Sequence, residues 1–363
     1  MSPAGLIPPP DAIPVSWGWL ESLLVLTFTA HILLMNAVAG GAFVCAVRSL
    51  SYRSDAAVRE LSHALPTLFA LTVNFGVAPL LFAQMLYGQF FYTSSVLMAA
   101  YWLSVVFLAI AAYYGMYLFQ YKYDAWTHSR WLIAMVCAVL LFMGFIFSNN
   151  MTMMLRPEAW LAYFGTPENP AGGTMGGTML NLGDPALLPR YLHFMVAALA
   201  VGGLTLALLF DHRLRRGTVT PDEAGRHIRF GMMWFTVGTA SQLLVGSAFL
   251  GSLPLEIRQL FLGASTFHTG AFAIALVCVA ITLHYSVRNR VLPTAVALAC
   301  TVLAMSVVRA LVRAAYLAPY FSVRDLPVQP DYSPMVLFAV ILAAGLWCIW
   351  FMVRLAFRRN KEE

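Results

Sequence analysis

Nine apolar stretches, each long enough to cross a bilayer as a helix, follow one another along this chain with only short polar links between them. Their approximate limits are 17–48, 62–90, 95–120, 131–154, 187–210, 228–252, 259–285, 291–318 and 333–356. A spanning helix needs about 20 such residues, because every backbone polar group in hydrocarbon must be satisfied within the segment. Only 10% of the 363 residues are charged, against about 25% in soluble domains. The expected fold is therefore an all-α integral membrane protein. No polar linker divides residues 1–363, so one transmembrane helical domain is expected.

The net charge of +6 does not point to nucleic acid, because the basic residues sit in short loops rather than on one face. They report topology instead. If the N-terminus is outside, only Arg156, Arg190, Arg258, Arg309, Arg313 and Arg324 of the 22 basic residues fall on the outer side or in the outer half of a span. The positive-inside rule thus favours an outer N-terminus and a cytoplasmic C-terminus, which nine spans permit. The expected location is the bacterial cytoplasmic (inner) membrane. The first 16 residues, rich in proline and without a basic region, read as an extended cap on the first helix rather than a cleavable signal. The stretch 155–186, dense in Gly, Pro and Asn, is expected to be an ordered periplasmic loop lying over the outer face. The five cysteines form no CxxC or CxxCH and read as small buried core residues.

Ionisable groups inside a membrane are costly and usually functional. The 16 acidic residues lie almost wholly in loops or at helix ends, with Glu21 and Asp211 near termini. The absence of a mid-membrane carboxylate argues against a proton pump or a cation-coupled transporter. Three histidines lie inside spans: His31 near the middle of the first, His193 about two turns into the fifth, and His268 two to three turns into the seventh. A neutral imidazole in hydrocarbon needs a partner for its nitrogens, either a neighbouring helix or haem iron. Gly40, Gly41, Gly202, Gly203, Gly263 and Gly270 would leave room for a porphyrin. Arg309 and Arg313, spaced i,i+4, share one face of the eighth span at the level of His193. With no acid expected beside them, they either bind haem propionates or snorkel to the outer surface.

Taken in order, these stretches resemble subunit I of the cytochrome bd quinol oxidases. The resemblance rests on His31 followed by AVAGGAF, on NFGVAPLLFAQMLYGQ in the second span, on SNNMTMMLRP ending the fourth, and on LGDPALLPRYLHFMVAALAVGG entering the fifth. It implies a bd subunit I-like bundle in which His31 matches the ligand of a high-spin haem. His193 matches one axial ligand of a low-spin haem b that accepts electrons from quinol. The family's second axial ligand is a methionine on the seventh helix. His268 stands near that position, which implies bis-His ligation at His193 and His268. One to three haems b are expected, with His31, His193 and His268 as metal ligands and Arg309 and Arg313 as further cofactor contacts.

Three departures shape the functional expectation. The family's long quinol-binding loop shrinks here to about SLPLEIRQ, the glutamates of its third helix have no counterpart in AAYWLSVVFLAIAAYYG, and the haem-ligating glutamate of its eighth is replaced in SVVRALVRAAY. Reducing dioxygen requires protons at a buried site. The expected activity is therefore a haem b electron-transfer subunit, part of a quinol-oxidising oxidoreductase complex. It would act with a second membrane subunit and a periplasmic redox partner such as a c-type cytochrome. The alternatives are a quinol:oxygen oxidoreductase of the bd type and, from a different class, a haem-free quinone-binding anchor or a transporter.

Overall fold

A computed structural model describes residues 3–51, 55–126, 129–160 and 176–359. The helices are α1 (Trp17–Ser51), α2 (Ala56–Leu97), α3 (Ala99–Lys122), α4 (Ser129–Leu155), the short α5 (Pro157–Trp160), α6 (Leu187–Arg215), α7 (Pro221–Ser252), the short α8 (Leu255–Gln259), α9 (Thr266–Val287), α10 (Val291–Leu317) and α11 (Ser333–Arg359). Among the described residues, eight of these helices are long and apolar enough to cross a membrane, and α11 adds the apolar segment Ser333–Cys348. The protein is thus an all-α membrane bundle.

Helix ends follow local chemistry. Asp55 caps α2, its carboxylate accepting the Ala57 N–H at 2.8 Å. Thr220 caps α7, accepting the Glu223 N–H, with Pro221 in the first turn. α2 carries Pro66 and Pro79 and leaves helical geometry at Tyr87, eight residues beyond the second proline. The seventh apolar stretch is not one helix. After Pro254 the chain forms α8 and then a π-turn over Leu260–Ala264, and Gly263 there has a φ of +122°. His268 consequently lies in the first turn of α9, shallower within its helix than the continuous apolar run suggests.

α1 is the hub, packing on α2, α4, α6 and α10, while α6 pairs with α7 and α9 with α10. Small residues bring backbones together where lipid offers no hydrophobic drive for helix association. A Cβ on Gly202 would lie 2.2 Å from the Gly40 carbonyl carbon, and one on Gly203 would lie 2.5 Å from the Gly231 oxygen. A Cβ on Gly41 would meet the Leu65 side chain at 3.0 Å. Four of the glycines expected to make room for a porphyrin are therefore helix-crossing points, filled by neighbouring helices. Hydroxyl pairs join other helices: Thr29 with Ser306 at 3.0 Å, Thr236 with Ser286 at 3.0 Å and Thr282 with Thr301 at 2.8 Å. Of the cysteines, Cys45 and Cys137 are buried as expected, whereas Cys300 and Cys348 are exposed on the flank of the bundle.

The N-terminal segment docks beside the entry to α11, with the Ile13 N–H bonded to the Pro327 carbonyl at 2.9 Å. Residues 161–175 of the expected ordered loop lie outside the described residues. Its flanks are tied down by the Met179 N–H to the Leu97 carbonyl and the Ala100 N–H to the Gly177 carbonyl.

Candidate functional site

The three membrane histidines stand in different environments. His31 bonds through Nδ1 to the Thr72 carbonyl of α2 at 3.0 Å. A carbonyl can only accept, so Nδ1 carries the proton and the neutral ring keeps its lone pair on Nε2. Gly76 makes this approach possible, since a Cβ there would lie 2.8 Å from the ring. Orientation of a histidine by a backbone carbonyl is the usual second shell of a metal ligand.

His193 lies on α6 against α7. Its ring stacks on Phe249 at 6.2 Å and faces Gly246, whose missing Cβ would lie 3.4 Å away. Its Nδ1 is buried without a hydrogen-bond partner. Gln242 donates to the His193 backbone carbonyl at 2.7 Å, while its own Oε1 is buried and unpaired. His268 bonds through Nδ1 to Ser265 Oγ at 2.8 Å and meets the edge of Phe261 at 5.3 Å. Among the described residues no ring contact joins His193 to His268. Both of their helices pack on α7.

The arginines correct the sequence reading. An acid does stand beside the pair: Arg313 forms an ion pair with Glu21, at the start of α1. Glu21 also accepts from the Tyr87 hydroxyl at 3.1 Å, and the Arg313 guanidinium lies 4.4 Å over the Tyr87 ring. The kink of α2 falls at this tyrosine. A glutamate one turn into α1 and an arginine one turn from the end of α10 meet only because the helices pack side by side. Among the described residues Arg309 has no such partner. Its guanidinium lies 4.2 Å over the Phe28 ring and 3.6 Å from Met151 Sδ.

A third arginine belongs here, Arg190, which the sequence places at the outer end of the fifth span. Arg190 is 8% exposed, its Nε has no partner, and it lies 5.4 Å over Phe249, the ring on which His193 stacks. The nearest acid acting on it, Asp184, is held by Arg156 at 3.5 Å and caps the Ala186 N–H. Arg190 and Arg313 both exert their positive field on Arg309. Among the described residues, the buried Arg190 and Arg313 and the half-buried Arg309 thus share one contacting carboxylate, Glu21. The signal for Arg190 was its i,i+3 spacing to His193, which sets both on one face of α6. Beside Met151, Asn150 is fully buried with both amide atoms unpaired, and Asn149 uses its oxygen to accept the Asn181 N–H at 3.0 Å.

Buried cations without counter-charge are expensive unless an anion arrives. Among the described residues no three His, Cys, Asp or Glu side chains converge on a common point. An orphan imidazole nitrogen on His193, with the Arg190 guanidinium over the same Phe249 ring, fits a haem ligand beside a propionate contact.

No protein-family model and no curated protein matches this sequence. Among solved structures, the chain is similar to the bd oxidase from Geobacillus thermodenitrificans, with a TM-score of 0.62 and 14% identity over 96% of this chain and 99% of that one. At this identity the likeness is one of fold: the helices of this chain are arranged as in a bd oxidase.

Proposed function

We propose that this protein is a haem b subunit of a membrane oxidoreductase, which takes electrons from quinol and passes them to a redox partner. The observation that carries the reading is the surplus of buried guanidinium charge beside the unpartnered Nδ1 of His193. In this reading His193 and His268 are the axial ligands of a low-spin haem b, and His31 offers Nε2 to a further haem. Arg190, Arg309 and Arg313 hold propionates, for which guanidinium is the matched bidentate donor. Haem iron, when bound, cycles between ferric and ferrous and so carries single electrons.

The chain's own residues set the conditions for that cycling. The positive field of the arginines favours the reduced state, whereas two imidazole ligands lower the potential relative to His/Met. Glu21 and Tyr87 fix Arg313, so its charge does not move on electron transfer. The apolar rings of Phe28 and Phe249 exclude water from the guanidiniums above them. The site lies toward the face where α1 begins. With the N-terminus outside a bacterial cytoplasmic membrane, that is the periplasmic face, and a c-type cytochrome is the fitting acceptor. A second membrane subunit completes the complex.

A bd-type quinol:oxygen oxidoreductase is favoured by one observation, the free Nε2 lone pair of His31. Carbon monoxide separates the two, because a shift in the reduced spectrum on adding it demands an open iron site. The test of the leading reading is a reduced-minus-oxidised spectrum with haem quantification, for wild type and His193→Ala. A b-type α-band that collapses in the variant is expected. Absence of any b-type band in haem-supplemented wild type would sink the reading in favour of a haem-free anchor or a transporter.

A further inference from the structure

At the opposite face of the bundle, where α9 ends and α10 begins, an open groove of about 600 Å³ runs between these two helices. Its walls are Cys278, Ile281 and Tyr285 from α9, and Leu292, Val296 and Cys300 among those from α10. The lining is almost wholly apolar, and Leu292 and Val296 are more than half exposed toward the flank of the bundle. Apart from the Tyr285 hydroxyl, no side chain of the walls offers an oxygen or nitrogen to a polar headgroup.

The end of the groove is different. The turn between the helices is Arg288–Asn289–Arg290, and Asn289 adopts a left-handed φ of 54° that closes it tightly. Tyr285 and Leu292, which flank this turn in sequence, both line the groove, so the turn stands at its end. Both arginines are exposed, and among the described residues neither takes part in an ion pair. Arg290 is the N-cap of α10 but offers no side-chain acceptor, which leaves the first N–H groups of a 27-residue helix directed at the turn. Two guanidiniums and the positive end of a long helix thus meet an apolar channel leading away along the membrane flank. Basic pockets between transmembrane helices are where anionic lipid headgroups bind.

We infer that this groove is a binding site for an anionic glycerophospholipid, its phosphate at Arg288, Arg290 and the α10 N-terminus and an acyl chain along Ile281, Val296 and Cys300. The complementarity selects the ligand. A zwitterionic lipid brings a cation to a site that already holds two, and a quinone head would find only the Tyr285 hydroxyl among the walls. The inference is independent of haem binding, since it uses neither the same face nor the same residues.

The test titrates the detergent-purified full chain with phosphatidylglycerol or with phosphatidylcholine of the same acyl chains. Retained lipid is read by native mass spectrometry, and access to the groove by the rate of Cys300 modification with an apolar maleimide. Phosphatidylglycerol is expected to stay bound and slow Cys300 modification, and phosphatidylcholine to do neither. The exposed double variant R288Q/R290Q should weaken phosphatidylglycerol about tenfold or more, given roughly 1 kcal/mol per basic residue near a lipid surface. V296W, at a site with open space beside it, should fill the groove and weaken it as well. Equal retention of the two lipids, or undiminished phosphatidylglycerol binding by R288Q/R290Q, would overturn the inference.

Discussion

Two clusters of buried polar residues, at opposite ends of the same bundle, solve the problem of charge in an apolar interior in opposite ways. Around Asp55 the groups are matched. Its carboxylate pairs with Arg48 at 2.5 Å and caps α2, while its N–H bonds to the Tyr123 hydroxyl at 3.0 Å. Nearby, Arg213 pairs with Glu60 at 2.5 Å. Around His193 and Arg309 the groups are mismatched among the described residues: three guanidiniums to one contacting carboxylate, and an imidazole nitrogen with no partner. A fully satisfied network needs nothing further and holds helices in register. One that is buried and unsatisfied persists only where something else completes it. The contrast separates a matched cluster from a mismatched one without reference to any relative.

The contrast is open to attack by substitution. The largest effect is expected where neither cluster is involved. Gly202→Leu drives a side chain into the α1 backbone, and no folded, monodisperse protein should be recovered by gel filtration. Gly18→Leu, where a Cβ meets nothing within 4 Å, should leave recovery unchanged. Next, Asp55→Ala removes one member of a buried pair together with a helix cap, and should cost about 3–5 kcal/mol in unfolding experiments. It should leave any haem spectrum of the surviving folded fraction intact.

Arg309→Met should act in the reverse sense. In haem-free protein it removes a buried charge that has no carboxylate, and stability should rise by roughly 1–4 kcal/mol. In the same variant haem content should fall. A loss of stability in the haem-free chain would mean that the guanidinium already has its partner within the protein, and the contrast would fail.

The smallest effect belongs to a carboxylate paired at the surface. Asp331 accepts both the N–H and the hydroxyl of Ser333 at the start of α11, which holds its pKa below the ordinary 3.8. A lowered folded value means that its contribution is present above pH 3.8 and is lost as the pH falls through that folded value. The hydrogen-exchange protection factor of the first turn of α11, measured against the intrinsic rate at each pH, should fall there in wild type and stay constant in Asp331→Asn.

The contrast also shows why part of the candidate site was legible in the sequence. His31, His193 and His268 stood out because an imidazole in an apolar run is rare, and Arg309 and Arg313 because their spacing puts them on one face. Glu21 did not, because a carboxylate one turn into a helix looks like an interfacial residue until another helix is laid beside it. Arg190 was hidden for the same reason. It sits in the first turn of α6, where snorkelling would be ordinary, and only packing against Phe249 shows it buried. The glycines misled in the other direction, since a small residue makes room equally for a cofactor and for a backbone.

The amino-acid sequence by itself determined that this chain is a bundle of membrane-spanning helices, because burying apolar segments and satisfying the backbone in hydrocarbon are local demands, met residue by residue along one segment. It also determined which residues are out of place there. Only the tertiary structure decided which of them are compensated. The partner of Arg313 is 292 positions away, the apolar run before His268 breaks at a π-turn, and among the described residues Arg309 meets Phe28 and Met151 rather than a carboxylate because of the way α1, α4 and α10 pack. Pairing of charges is a property of distance in space, and side chains far apart in the chain acquire that distance only when the helices assemble.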